Sequence, residues 1–187
     1  SGKLAAGLYD DRTHFIFELL QNAEDALGRR GEWGGSRKVA FTLSPTRLML
    51  SHFGKPFDEA DVRSVCDIAE STKNESSIGR FGLGFKSVYT VTDLPEIHSG
   101  DEDFAIENYV FPKRLVRSAR AADETQIVLP LKPEDANAAQ DITTGFPNLS
   151  AAIREEANGL NWCGLVLVAV PPPKSFGEFL GGSALVS

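Results

Sequence analysis

Sulfur is scarce in this chain. Cys66 and Cys163 are its only cysteines, and they stand far apart. Two such residues make neither a disulfide framework nor a zinc site, so a reducing cytoplasm is the expected compartment. No apolar run approaches the length of a membrane-spanning helix. The N-terminus shows no signal-peptide pattern, and neither an internal repeat nor a long low-complexity tract is present. Positive charge is also in deficit. Nineteen Lys and Arg against 26 Asp and Glu leave a formal net charge of −7, which argues against a general role in coating nucleic acid.

What is there fits one globular domain. The 187 residues, 42% hydrophobic and 24% charged, suffice for a real core. The chain ends at Ser187 without an obvious stopping element, so residues 1–187 are expected to be a single domain, the N-terminal fragment of a larger protein.

Arg12–Leu27 (RTHFIFELLQNAEDAL) reads as a helix, with Phe15, Leu19, Ala23 and Ala26 at helical spacing and Asp11 or Thr13 as cap. Lys38–Leu43 and Arg47–His52 alternate like strands, and Ser44-Pro45 supplies a hairpin turn. Asp58 opens a second helix, DEADVRSVCDIAE, with Val62, Val65 and Ile68 on one face. Ser71–Ser77 (STKNESS) reads as a loop and Phe85–Val91 as a short helix. Strands are expected at Glu96–Ser99, Asp103–Glu107, Thr125–Leu131 and Gly164–Val170, the last stopped by three prolines. Pro133–Asn158 reads as helical in parts, broken near Gly145–Pro147. Such a mixture with hairpin-like neighbours is α+β.

Two stretches carry chemistry. Ile78–Tyr89 reads IGRFGLGFKSVY. Three close glycines, Gly79, Gly82 and Gly84, suit a backbone that must approach a phosphate at a helix start. In the first helix Glu18, Asn22 and Asp25 fall at i, i+4 and i+7 and share a face. A carboxylate, an amide and a second carboxylate so placed suit a magnesium and water site, because magnesium takes oxygen ligands and keeps several waters. A solvated helix face would show the same spacing.

Taken in order, FELLQNAEDA, SHFGKPF, IGRFGLGFKSVY and ETQIVLPL resemble the four nucleotide-site motifs of the GHKL ATPase superfamily, and the wording is most similar to its sacsin-type, chaperone-like branch. The resemblance spans about Phe15–Leu131. It implies a Bergerat-type two-layer α/β sandwich, with helices on one face of a mixed, mainly antiparallel sheet. It also implies ATP or ADP as ligand, with Mg2+. By position, Glu18 matches the general base for water attack, and Asn22 matches the magnesium ligand. Asp25 matches an acidic residue near the adenine pocket, and Gly54 the glycine of the second motif. Gly79, Arg80, Phe81, Gly82, Leu83, Gly84, Phe85 and Lys86 fall in the phosphate loop bordering a mobile lid, in which Lys73 would lie. Thr125 matches the threonine that supports the adenine end through water.

One position departs from the family. An Asp that reads the adenine amino group normally stands two residues before the second-motif glycine; here it is His52. A neutral histidine can accept through one ring nitrogen, but its size and geometry differ. Three outcomes stay open: His52 reads adenine itself, another residue such as Asp61 substitutes, or base selection is relaxed. His52 could also simply end its strand at the surface.

Lys73, Arg80 and Lys86 could each neutralise phosphate charge, or be solvated. For His14 and His98 the sequence suggests only packing or surface roles. Cys66 and Cys163 are expected to be structural. Lys113, Arg114, Arg117 and Arg120 would form a positive edge if helical, available to nucleic acid or an acidic partner but expected to be a solvated face.

The resemblance thus implies an ATP-binding, ATP-hydrolysing domain that couples nucleotide state to lid closure and to ATP-dependent homodimerisation within a larger protein. Related ATPases complete the site with a Lys or Arg from a following domain. No candidate is visible here, so slow or no turnover is expected of the isolated domain. A non-catalytic nucleotide sensor and a degenerate interaction domain are the rival classes. Loss of a phosphate-loop glycine would favour the latter, and all three are present. No membrane partner is expected, and nucleic acid is not the expected partner.

Overall fold

The computed structural model describes Arg12, residues 14–66, 84–144 and 165–169. In chain order the elements are α1 (His14–Arg29), β1 (Val39–Leu43), β2 (Arg47–His52), α2 (Glu59–Val65), a 3-10 turn (Lys86–Thr90), β3 (Glu96–Ser99), β4 (Glu102–Glu107), β5 (Phe111–Arg114), β6 (Thr125–Pro130) and β7 (Leu165–Ala169). A short helix, α3, at 138–144 precedes β7.

The strands form one sheet in the order β5-β4-β3-β6-β2-β1-β7. Neighbours are antiparallel except β1 and β7, which run parallel. The sheet is therefore mixed and mainly antiparallel, in an α+β architecture.

Strand register explains the core. Phe41 pairs with Leu50, Leu50 with Ile127, Ile127 with Ile97 and Ile97 with Phe104. Side chains on alternate strand residues share a face, so this row crosses five strands on the inner side. A second row joins Leu43, Leu48 and Leu129. These residues form one buried cluster with Phe15, Ile16, Leu19, Leu20, Ala23 and Leu27 of α1. Fully burying each such side chain contributes about 1.5–3 kcal/mol.

Helix α1 runs two residues past the expected Leu27. It stops where Arg30 N–H turns back to Leu27 O and Gly31 takes φ +63°, a left-handed conformation that glycine adopts without strain. Its expected caps, Asp11 and Thr13, lie outside the described residues. Asp58 caps α2 through a reciprocal box with Asp61: each side chain accepts the other's backbone N–H at 3.0 Å. Ser44 Oγ accepts from Arg47 N–H at 3.1 Å and fixes the β1–β2 turn.

The condition for a helical basic edge is not met. Lys113–Arg120 is not a helix. Lys113 and Arg114 belong to edge strand β5, opposite Ala105 and Phe104. The next residues form a loop over the outer face of the sheet, tied by Leu115 N–H to Asp103 O at 2.8 Å. Basic residues at helical spacing carried no apolar stripe, and without one a helix has nothing to pack. The STKNESS loop, Ile68, Cys163 and the break at Gly145–Pro147 lie outside the described residues.

Candidate functional site

Helix α1 supplies three of the candidate side chains. At about 100° per residue, Asn22 sits roughly 40° around the axis from Glu18, and Asp25 about 20° to the other side. Asn22 leans toward the core and is 5% exposed, whereas Asp25 is exposed. Among the described residues Asn22 Nδ2 is buried without a hydrogen-bond partner. A buried polar atom left so costs about 1–3 kcal/mol, so it marks a place where a ligand or water belongs.

Glu18 is held from two sides. His14 Nε2 lies 3.1 Å from its Oε1, one helical turn away. On the other side, the backbone of Gly84 is so close that any Cβ there would collide with Glu18 Oε2. The last glycine of IGRFGLGF thus packs directly on the candidate base. Beyond it, Phe85 is wholly buried in the core, so its side chain is unavailable to a ligand. Lys86 is partly exposed on the following turn. Lys73, Gly79, Arg80, Phe81, Gly82 and Leu83 lie outside the described residues.

The second motif touches the same helix farther along. A Cβ on Gly54 would stand 2.5 Å from Ala26 Cβ and 2.7 Å from its carbonyl carbon. Only a glycine permits this approach, which Lys55 N–H to Ala26 O completes at 2.8 Å. Eight residues separate the two contact points on α1, about 12 Å along its axis.

His52 does not end its strand at the surface; it is 2% exposed. Burial, then the positive charges of Arg29 and Arg30, push its pKa down to about 4, so the ring is neutral near pH 7. Its Nδ1 accepts the N–H of Gly54 at 3.0 Å. Opposite His52 in the register stands Thr125, wholly buried. The hydroxyls of Thr125 and Ser99 are 2.6 Å apart, and Ser99 Oγ also accepts Phe57 N–H at 3.0 Å. His52, Thr125 and Ser99 thus form a neutral polar row at the end of the inner face.

Asp61 is committed elsewhere. It accepts from Arg29 at 3.0 Å and from Asp58 N–H, so its carboxylate serves the cap and an ion pair. Arg30 bonds Asp123 at 3.3 Å and lies over the Trp33 ring at 4.0 Å. No group of three or more His, Cys, Asp or Glu able to hold a metal occurs among the described residues.

The outer face holds the groups the sequence left without a role. His98 is buried, with Nδ1 2.7 Å from Asp103 and Nε2 3.4 Å from Glu96. Arg120 is fully buried, donating to both Asp103 oxygens at 2.6 and 3.2 Å and to Gly100 O at 2.9 Å. Burial alone would raise the Asp103 carboxyl. Hydrogen bonds from Arg120, His98 and Ser118 N–H outweigh it and hold the group below the usual carboxylate range. Arg117 donates to Gly100 O at 3.2 Å. The expected positive edge is therefore broken up, with Arg120 turned wholly inward.

Sequence reading missed His14, Arg30 and Ser99. The i, i+4 spacing of His14 and Glu18 was a usable signal. Nothing local marked Ser99, which gains its role only from strand register.

Similarity to known proteins gives a sacsin-type, GHKL-like, chaperone-like ATPase class of domain, and the α+β sandwich agrees with it. Residues 44–147 match the family model described as Sacsin domain; this is more than half of the chain, and the chain belongs to that family. It is 37% identical to Protein NO VEIN of Arabidopsis thaliana over 106 residues, covering 56% of this chain and 4% of that protein. It is 28% identical to Sacsin of Homo sapiens over 117 residues, covering 52% of this chain and 2% of that one. It is also 28% identical over 120 residues to Chaperone protein HtpG of Aliarcobacter butzleri (strain RM4018), covering 49% and 19% respectively. The chain spans less than a fifth of the length of each of these relatives. No helix among the described residues is long and apolar enough to cross a membrane.

Proposed function

We propose that this domain binds a magnesium nucleoside triphosphate of the ATP type along α1 and hydrolyses it slowly. The observation that carries the reading is the seat of Gly84 on Glu18, one turn from the unsatisfied amide of Asn22. What supports the reading is a glycine backbone against a carboxylate, with a buried amide one helical turn along. Asn22 would hold the magnesium through its amide oxygen and leave the unpaired Nδ2 to donate to a phosphate oxygen or water, and the ion would take its remaining ligands from phosphate and water. Its single amide fits that demand better than a cage of carboxylates would. The bound ion would supply charge neutralisation at the phosphates.

The rest belongs to the chain's own side chains. Glu18 orients the attacking water and takes its proton, with His14 fixing the carboxylate. The glycine loop, Gly79, Gly82 and Gly84, offers N–H donors without side-chain obstruction. Arg80, Lys73 and Lys86 lie in or beside it as candidate phosphate cations. Thr125 holds the far end of the site, and Asp25 lies exposed at its rim. Lid closure, ATP-dependent homodimerisation, coupling to further domains of the same chain and a cytoplasmic setting belong to the same reading.

The test is phosphate release by the intact protein, wild type against Glu18→Ala. A positioned general base is worth about 10²–10⁴ in rate. The variant is therefore expected to bind ATP normally and lose turnover by that factor. Turnover at the wild-type rate would remove Glu18 from the role.

A further inference from the structure

We infer that the free edge of β5 is a docking site for an extended acidic segment of another protein, which pairs with it as an added strand. The inference does not rest on the nucleotide reading. It takes up the basic stretch that the candidate site leaves without a role.

The open groups follow from strand register. β5 ends the sheet among the described residues. Lys113 stands opposite Ala105 and Arg114 opposite Phe104, and Leu115 N–H bonds to Asp103 O at 2.8 Å. Antiparallel pairs alternate between bonded and non-bonded. Phe111, Lys113 and Leu115 therefore turn their backbone groups toward β4, and Pro112 and Arg114 turn theirs away. Pro112 O, Arg114 N–H and Arg114 O are left for a further strand. All four residues of β5 are exposed.

The strand is fixed at both ends. The β4–β5 turn passes through Asn108 and Tyr109, both at positive φ, and the Tyr109 ring centre lies 4.5 Å from that of Tyr89. The Leu115 bond holds the other end. A strand held in this way loses little freedom when it is paired.

Exposure and charge select the occupant. The exposed large hydrophobic side chains among the described residues are Leu94, Tyr109, Phe111 and Val116. Three of the four flank or belong to β5, with Phe111 62% and Val116 90% exposed. Residues 108–122 carry Lys113, Arg114, Arg117 and Arg120 and no Asp or Glu, in a chain of net charge −7. Arg120 turns inward, Lys113 reaches Glu107 at 2.9 Å and Arg117 reaches Gly100 O. The Arg114 side chain has no hydrogen bond or ion pair among the described residues.

Pro and Lys on an edge strand discourage pairing, and here they discourage it selectively. A second copy in symmetric antiparallel pairing would set Arg114 or Lys113 against its own like, or centre on Pro112, which has no N–H. An acidic strand meets both cations. Opposite Arg114 and Lys113 it needs two successive acidic residues, and opposite Val116 and Phe111 an apolar one on either flank. The pattern is apolar-x-acid-acid-x-apolar, the same for a parallel or an antiparallel strand. Main-chain bonds supply the affinity of such additions, and the side chains supply the specificity.

The test is fluorescence anisotropy of the intact protein with a labelled peptide, Thr-Val-Thr-Glu-Glu-Thr-Val-Thr, at low salt. One control peptide has Lys-Lys in place of Glu-Glu. The other is N-methylated at both glutamates, which removes the N–H that would meet Arg114 O in either strand direction and leaves the charges in place. Saturable binding of the first peptide is expected, with both controls about tenfold or more weaker. Arg114→Glu changes an exposed side chain and should reverse the preference between the Glu-Glu and Lys-Lys peptides. In the wild type, hydrogen exchange at the Arg114 amide should slow about tenfold or more when the Glu-Glu peptide is bound, a readout independent of any variant's folding.

No binding of the Glu-Glu peptide at millimolar concentration would overturn the inference. Equal binding of either control, or unchanged exchange at Arg114, would do the same. Oligothymidylate that binds more tightly than the peptide, and is lost in Arg114→Glu, would make the edge a nucleic-acid surface and overturn it as well.

Discussion

On the inner face of the sheet, His52, Thr125 and Ser99 lie buried in a neutral row, and on α1 the Asn22 Nδ2 is buried with no hydrogen-bond partner among the described residues. On the outer face, Arg120 and Asp103 form an ion pair that His98 joins by a hydrogen bond, and among the described residues of this group Arg120 Nε alone is buried without a partner. Both sets take polar atoms out of water, which is costly unless they are paired. Where the pairing is complete the group fastens the loop of residues 115–124 to the sheet. Where it is left open, at Asn22, a donor remains that the proposed ligand would meet. Saturation, more than burial or residue type, distinguishes a fastening from a site.

Breaking the closed set gives the largest expected effect. Arg120→Ala leaves the buried Asp103 without its main partner, and removing one side of such a pair costs about 3–5 kcal/mol. Urea unfolding should register most of it, and a change under 1 kcal/mol would show the outer network to be ornamental.

The inner row should speak through pH. The pKa of His52 lies near 4 in the folded state against 6.5 for the ordinary side chain. As pH falls, the unfolded chain takes the proton first, so stability is lost from about pH 6.5 down to about pH 4 and no further from this group. The loss is on the order of 3 kcal/mol. Asp58, Asp103 and Glu124 are held below their usual values, so their contribution disappears only as pH drops below the ordinary carboxylate range. His52→Asn should flatten the upper part of a plot of melting temperature against pH and leave the lower part; an unchanged upper slope would contradict the assignment.

Gly54→Ala tests the scaffold under the inner row. The new methyl would press on the Ala26 backbone, which cannot swing aside, so about 1–3 kcal/mol of destabilisation is expected. A neutral result would mean that the β2–α2 connection yields freely. The smallest change comes from Ser99→Ala, which removes one hydroxyl from Thr125 and one acceptor from Phe57 N–H. It should cost about 1 kcal/mol, and a double-mutant cycle with Thr125→Ala would isolate the coupling.

Much of the fold was legible because its signals are local. The alternation in Lys38–Leu43 and Arg47–His52 and the apolar run at Gly164–Val170 each fixed an element to within a residue or two, and Asp58 fixed the start of α2, which ends at Val65, short of the full DEADVRSVCDIAE. The candidate site could be read as motifs but not as a place. That Gly84 rests on Glu18, or that Gly54 rests on Ala26, depends on how distant segments pack. The inward turn of Arg120 has the same root: the spacing of charges was local, but the partner of Arg120 is Asp103, on the distant strand β4. His52 shows the limit most clearly. Its identity raised the question of base reading, and only the bond from Gly54 N–H tells which ring nitrogen is left.

The parallel pairing of β1 with β7 has a consequence for how the chain is made. Val39–Leu43 gains its second neighbour only when Leu165–Ala169 has been synthesised, so one margin of the sheet waits on the ribosome while the hairpins of β1–β2 and β3–β4 are already available. Contacts so distant in sequence close late and slowly. The segment that defines the family, residues 44–147, contains neither partner of that pairing and lacks α1 as well. It is a unit of descent, not of folding. A gene fragment cut to it would leave β2 without its β1 neighbour and the inner apolar row without the helix that covers it.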